Sequence, residues 1–268
     1  MSALPEDNES VARESRGIQS IEVGGQLLRA LAHFGRPTAL KDLAREAGMN
    51  AAKAHPYLVS FGKLGLIQQD PATGYYGLGP LALQLGLISL QQVDPIRLAT
   101  AELPRLAQAI GHTVGVAIWG NRGPTFVRLE EGPTAVHVNM RHGTVVSVRG
   151  TASGRLFAAF MPREQVLAAL ATESGQRTAK LDAALQADLT RIREDRFCSL
   201  VDGSVHGITA LSAPVFDGFG KMVLALTAIG PSATLPASTK SEAARELQRA
   251  ALAISSQLGA RASQAQAD

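Results

Sequence analysis

Between Glu131 and Glu164 the chain carries no acidic residue, yet it holds Arg141, Arg149, Arg155 and Arg163 together with His137 and His142. A guanidinium is a planar fork of donors that matches a carboxylate, so such a stretch suits a small-anion site. Within it, Thr151-Ala152-Ser153-Gly154 follows a strand-like segment and opens a helical one, where unpaired backbone N–H groups add to anion binding. Taken singly, each arginine also fits a solvated strand edge.

A second constellation, Gly203-Ser204-Val205-His206-Gly207, sets a hydroxyl and an imidazole two residues apart, on one side of an extended segment. No orienting acid is assignable to the pair, and Asp202 beside it suits a turn, so a Ser-His nucleophile lacks its third member. The run from Gly150 to Gly154 has the wrong spacing for a nucleophile elbow. Gly74, Gly77 and Gly79 are misplaced for a dinucleotide fingerprint, and His137 and His142 lack the company of a metal site. Cys198 is the single cysteine, which excludes an intramolecular disulfide and a CxxC zinc site and suits an inert, half-buried thiol. No catalytic activity, cofactor or metal is therefore expected.

The elements that position these residues follow from composition and period. With 268 residues, 46% apolar and 18% charged, the chain is long enough for one large or two ordinary domains and too apolar for general disorder. Residues 1–16 are polar and read as a flexible tail rather than a signal peptide. The greasiest run, 81–90, is too short to span a bilayer and contains Gln84, so no membrane partner and a reducing, cytoplasmic setting are expected.

Helical spacing begins at residues 20–34 through Ile21, Leu28 and Leu31, and Gly35-Arg36-Pro37 stops it. Thr38 suits the N-cap of a short helix whose Leu40, Leu43, Ala44 and Ala47 share a face, and Gly48 ends that helix. Asn50 suits the cap of a third helix. Ala54, Leu58 and Phe61 form its inner stripe, while Lys53, Pro56, Ser60 and Lys63 fall on the other side. Two short strands, 66–69 and 75–78, flank an Asp-Pro-Ala-Thr-Gly turn. Three helices and a hairpin make the plan of a winged helix-turn-helix, whose third helix enters a major groove. Asn50, Lys53 and His55 would lead into DNA, with Thr38, Pro56, Ser60 and Lys63 completing that surface and Tyr75 on the wing. Charge adds little: residues 1–80 hold 8 basic and 8 acidic side chains, and the net +3 comes from the remainder, with 18 and 15. A protein-interaction module has the same plan.

Helical patterns over 80–92 and 95–110 come next, then a period of two from Gly111. Val114, Val116 and Ile118 alternate inward, and further strands are expected at 125–129, 135–140, 144–148, 208–216 and 222–229. Helices are expected at 153–160, 162–171, 180–194 and 238–258. The class is α/β (α+β), with a mainly antiparallel sheet because hairpin-length gaps separate the first strands. The expected division is a tail (1–16), a winged helix-turn-helix (17–79), linker and dimerisation helices (80–110), a second domain (111–259) and a tail (260–268).

The run from Ser20 to Gly79, above all LKDLAREAGMNAAKAHPYLVSFGKLGLIQQDPATGYYGLG, resembles the DNA-binding domain of IclR-family bacterial transcriptional regulators. GTASGRLFAAF and ITALSAPVFDGFGKMVLALTAIGP carry the resemblance through nearly the whole chain. It implies a GAF-like effector-binding domain for a small anionic organic effector, double-stranded operator DNA as partner, and a homodimer or dimer of dimers paired partly through residues 80–92. Carried over by motif, it implies backbone contacts at Ala152 and Ser153 beside Gly154, Val146 in the pocket wall, Ala210, Thr227 and Ile229 within, and Asp202 at the edge. Family members often have polar or sulfur-bearing side chains at the Ala210 and Ile229 positions; the apolar pair here hints at an aromatic acid, on which Trp119 would stack. Where most of the family has Arg after the third-helix His, this chain has Pro56, so a bent recognition helix is expected. The alternative is a GAF-like metabolite-binding protein or enzyme whose N-terminal domain mediates protein interaction.

Overall fold

In the computed structural model, which describes residues 17–134 and 140–260, the chain divides into two units between Gln92 and Val93. The expected tails at 1–16 and 261–268, and most of the strand expected at 135–140 with His137, lie outside the described residues.

The first unit runs α1 (Gln19–Phe34), α2 (Leu40–Glu46), α3 (Ala51–Lys63), β1 (Ile67–Gln69), β2 (Tyr76–Leu78) and α4 (Pro80–Gln92). Leu27, Leu31, Leu43, Ala54, Leu58, Ile67 and Tyr76 close its core. Gly48, at φ +66°, turns the chain between α2 and α3. Asn50 caps α3 as its type predicts, its Oδ1 accepting the Lys53 N–H at 2.8 Å. Thr38 does not cap α2; that position is Ala39, without a side-chain bond. Thr38 instead bridges to the wing: its N–H donates to Tyr76 O at 3.0 Å and its carbonyl accepts from Tyr76 N–H at 2.9 Å. Two backbone groups satisfied in a buried bridge outweigh one capped donor.

The second unit contains α5 (Pro95–Ile110), β3 (Thr113–Gly120), β4 (Gly123–Glu130), α6 (Ala152–Phe160), α7 (Arg163–Ser174), α8 (Ala183–Asp195), β5 (Cys198–Val201), β6 (Ile208–Phe216), β7 (Met222–Pro231) and α9 (Glu242–Gln257). The sheet order is β4-β3-β7-β6-β5, every pairing antiparallel. Alternation sends Val114, Val116, Leu211, Ala213, Leu224 and Leu226 to a core shared with α5 and α9. The opposite face, with Ala117, Ala225 and Ile229, packs with Leu156, Phe157, Leu185 and Leu189 of α6 and α8. A sheet covered on both faces explains why β7 reads as one nearly unbroken apolar run.

Two expectations change here. Helix α5, grouped with α4 as a linker, is built into the second core through Ala99, Leu103 and Leu106. Residues 144–148 form a single bridge, Thr125 to Val145, rather than a strand. The segment leaves the sheet because the Ser147 hydroxyl and Val148 N–H both turn to the carboxylate of Glu173 on α7. Among the described residues no helix is long and apolar enough to cross a membrane.

Candidate functional site

The α6 face of the sheet does not pack solidly. A cavity of about 80 Å³ opens between the sheet (Phe126, Ala210, Thr227, Ile229), the start of α6 (Thr151, Ala152, Ser153), Val146 with Met140, and the β5–β6 connection (Gly203, Ser204, Val205). Leu200, Ile208 and Gly150 complete the lining, and no charged side chain is among these residues. Chemically the cavity has two ends: one apolar, the other made of hydroxyls and backbone amides.

The polar end starts at α6. Thr151 Oγ1 caps the helix by accepting the Gly154 N–H at 3.0 Å, and Thr151 O takes the Arg155 N–H. That leaves the Ala152 and Ser153 N–H groups, which neither helix nor cap takes up, at the positive end of the helix dipole. Behind them runs a row of buried hydroxyls. Ser153 Oγ and Thr227 Oγ1 lie 2.9 Å apart, as do Thr227 Oγ1 and Ser212 Oγ, and Ser212 reaches Leu226 O at 3.4 Å. Protons can run inward, ending on Leu226 O, or outward, leaving Ser153 to donate into the cavity. The site can therefore give or take a hydrogen bond without a charged side chain.

Six sequence-chosen residues line this cavity: Val146, Ala152, Ser153, Ala210, Thr227 and Ile229. Three do not. Trp119 packs on Phe157, with ring centroids 5.9 Å apart. Gly154 is taken into the α6 cap. Asp202 lies just outside, its carboxylate accepting the Gly207 N–H at 2.6 Å. Two of the four arginines are committed elsewhere. Arg149 pairs with Asp182, and Arg155 with Asp188 at 2.7 Å and with Arg149 O at 2.8 Å. The Leu185 N–H and the Arg149 guanidinium hold the Asp182 carboxyl below its usual range. Arg149 and Arg155 are thus matched by the cap of α8 and an acid within it, each pairing spanning 33 positions that local reading does not reveal.

Reading by motif missed Phe126, Met140, Gly150, Leu200, Gly203, Ser204, Val205 and Ile208 as lining, and had Thr151 only as the start of the strand-to-helix motif. The signal for Ser204 was present but read as half of a Ser-His pair. Its Oγ donates to Gly150 O at 3.0 Å, whereas exposed His206 sits 3.4 Å from Asp202. Leu200 was hidden in β5, four residues too short for an alternation to stand out. Among the described residues no group of three His, Cys, Asp or Glu could hold a metal ion.

In the first unit, Asn50, Lys53, His55, Pro56, Ser60 and Lys63 are exposed on or beside α3, and Tyr75 is exposed on the wing. Thr38 is only 4% exposed and its hydroxyl donates to Arg36 O, so it supports the wing from below and offers no surface to DNA. Ser60 Oγ donates to Pro56 O at 3.0 Å, and Asn50 Oδ1 is spent on the cap, which leaves its amide N–H groups for a partner. α3 continues through Pro56 as one helix, although proline offers Ala52 O no donor.

Comparison with known proteins covers both units. Residues 88–256 match the family description "Bacterial transcriptional regulator IclR C-terminal", and residues 20–71 match "IclR helix-turn-helix domain". The crystal structure of Pseudomonas aeruginosa HmgR is similar at 36% identity and a TM-score of 0.82, covering 91% of this chain and 100% of that one. The glycerol operon regulatory protein of Streptomyces griseus is 28% identical over 92% of this chain and 98% of its own. KdgR of Escherichia coli K12 is 23% identical over 94% and 97%.

Proposed function

The chain belongs to the IclR family of DNA-binding bacterial transcriptional regulators, and from that premise we propose that it controls a catabolic operon in response to a small organic acid held in the second unit. The observation that carries the effector reading is the cavity itself: an apolar chamber whose polar end holds unpaired N–H groups of α6 and a row of hydroxyls. A carboxylate would sit at the helix start, neutralised by the N-terminal dipole rather than by arginine. An apolar body, aliphatic or aromatic, would fill the rest. The family likeness to a glycerol operon regulator supports control at the level of an operon.

For DNA, α3 would enter the major groove with Lys53 and His55 at base edges and phosphates, Lys63 on the backbone and Tyr75 of the wing beside it. Two copies would meet a pseudo-palindromic operator. α4 supports that pairing: no residue of it is buried, it carries no charge, and Leu83, Leu87 and Leu90 are 66%, 54% and 59% exposed. An apolar strip of that kind is unusual on a free surface and suits a second chain, in a dimer or a dimer of dimers. The effector would act by binding one arrangement of the paired DNA-binding units more tightly than another.

The test is a binding titration of the full chain on its own upstream DNA against salt. Affinity is expected to fall linearly on logarithmic axes as phosphate contacts release counterions. No binding at low salt, with or without acids, would sink the regulator reading for that DNA. Thr227→Val, which removes the central hydroxyl, is expected to abolish the response to the acid and leave DNA affinity unchanged.

A further inference from the structure

Resting on the organic-acid reading above, we infer that Ser204 is the latch that sets which size of acid the cavity admits, by holding the β5–β6 loop shut on Gly150. The base of this loop is fixed from several directions. Asp202 N–H donates to Ile208 O at 3.0 Å, Gly207 N–H to Asp202 Oδ1 at 2.6 Å, and Ser232 N–H to Gly207 O at 2.9 Å. The tip is held differently. Ser204 N–H and Ser204 Oγ–H both donate to one acceptor, Gly150 O, at 2.8 and 3.0 Å. Val205 lines the cavity beside it while 54% exposed.

The closed contact is tight. A Cβ on Gly203 would stand 2.3 Å from Gly150 O, and one on Gly150 would stand 2.4 Å from Ser204 Oγ. At the loop's start Asp202 has φ +52°, a left-handed conformation that costs a non-glycine residue energy and is held here by its own bond to Gly207. The tip thus hangs between an anchored base and a single carbonyl. That carbonyl belongs to the residue before Thr151, so the latch ends at the helix start where the carboxylate would sit.

Size then decides. The closed cavity is about 80 Å³, whereas an apolar cavity that takes benzene is about 150 Å³. Acetate, the smallest acid of the series below, is the one the closed loop can take; butyrate, which has as many non-hydrogen atoms as benzene, and any acid bearing a ring require the tip to lift. A ligand that needs the open loop binds with an affinity scaled by the open fraction, so weakening the latch strengthens binding of large acids alone.

The experiment uses the full-length chain as wild type, Ser204→Ala and Ser204→Thr, with acetate, propionate, butyrate, benzoate and phenylacetate followed by thermal shift. Ser204→Ala removes one of the two bonds, so butyrate, benzoate and phenylacetate are expected to bind about fivefold more tightly while acetate holds steady. Ser204→Thr, which keeps the hydroxyl, is expected to behave as wild type. A ratio of butyrate and the aromatic acids to acetate that Ser204→Ala leaves unchanged overturns the latch. In ligand-free protein, hydrogen exchange at the position 204 amide is expected to quicken in Ser204→Ala while the Asp202 amide does not change; equal rates at position 204 overturn the latch without reference to any acid. If no acid in the series stabilises any of the three proteins, the organic-acid reading itself fails, and size selection with it.

Discussion

Cys198 shows how burial sets a side chain's chemistry. Desolvation pushes its thiol up to about 12, against the opposing pull of Arg155. The folded protein therefore keeps a proton that the unfolded chain sheds near its ordinary value of 9.0. Stability linked to this group is complete below that value and is lost as pH climbs from there toward about 12. Chemical denaturation of Cys198→Ala at increasing alkaline pH should show a shallower decline than wild type, and a thiol reagent should modify native Cys198 only as fast as the protein opens. Asn50 carries two tasks that substitution can separate. Asn50→Ala should cost about 1 kcal/mol of stability in the first unit through loss of the cap, read by denaturant unfolding. Asn50→Asp keeps the cap but turns a carboxylate toward DNA, so stability should hold while operator affinity falls roughly tenfold at low salt.

At the scale of elements, α4 makes the sharpest prediction. Leu83→Glu with Leu87→Glu places charges on one stripe of a helix none of whose residues is buried. Light scattering should find the mass of the variant halved, with secondary structure retained; an unchanged mass would move the pairing surface elsewhere. Elements with strong periods were legible: β6 and β7, fully covered strands, were read within two residues of their ends, as was α4. Those whose place is decided by distant partners were not. The strand expected at 144–148 is drawn off the sheet by Glu173, some 25 positions away. The cap expected at Thr38 became a bridge because Tyr76 offered two backbone partners. α9 begins at Glu242 rather than at 238, because Ser241 Oγ accepts the Ala244 N–H and sets the start. The cavity was half legible for the same reason: Ala152, Ser153 and Thr227 belong to segments whose motifs show, while Ser204 and Leu200 come to it only through tertiary closure.

At the scale of the molecule, the cores of the two units share no residue, that of the first running from Leu27 to Tyr76. Calorimetry should therefore resolve two transitions, and a bound acid should raise the one belonging to the second unit, by RT ln(1 + [L]/Kd) in stability. A single cooperative transition would contradict separate cores. The bonds from Glu173, Asp182 and Asp188 to the segment 147–155 have a further consequence for inheritance. Those acids lie on or at the start of α7 and α8 and never face the cavity, yet they hold the chain that leads into α6. Colonies selected for deafness to the inducing acid should therefore carry lesions at these three codons, and a geneticist mapping them would place the sensor one layer of helices away from where the acid lands.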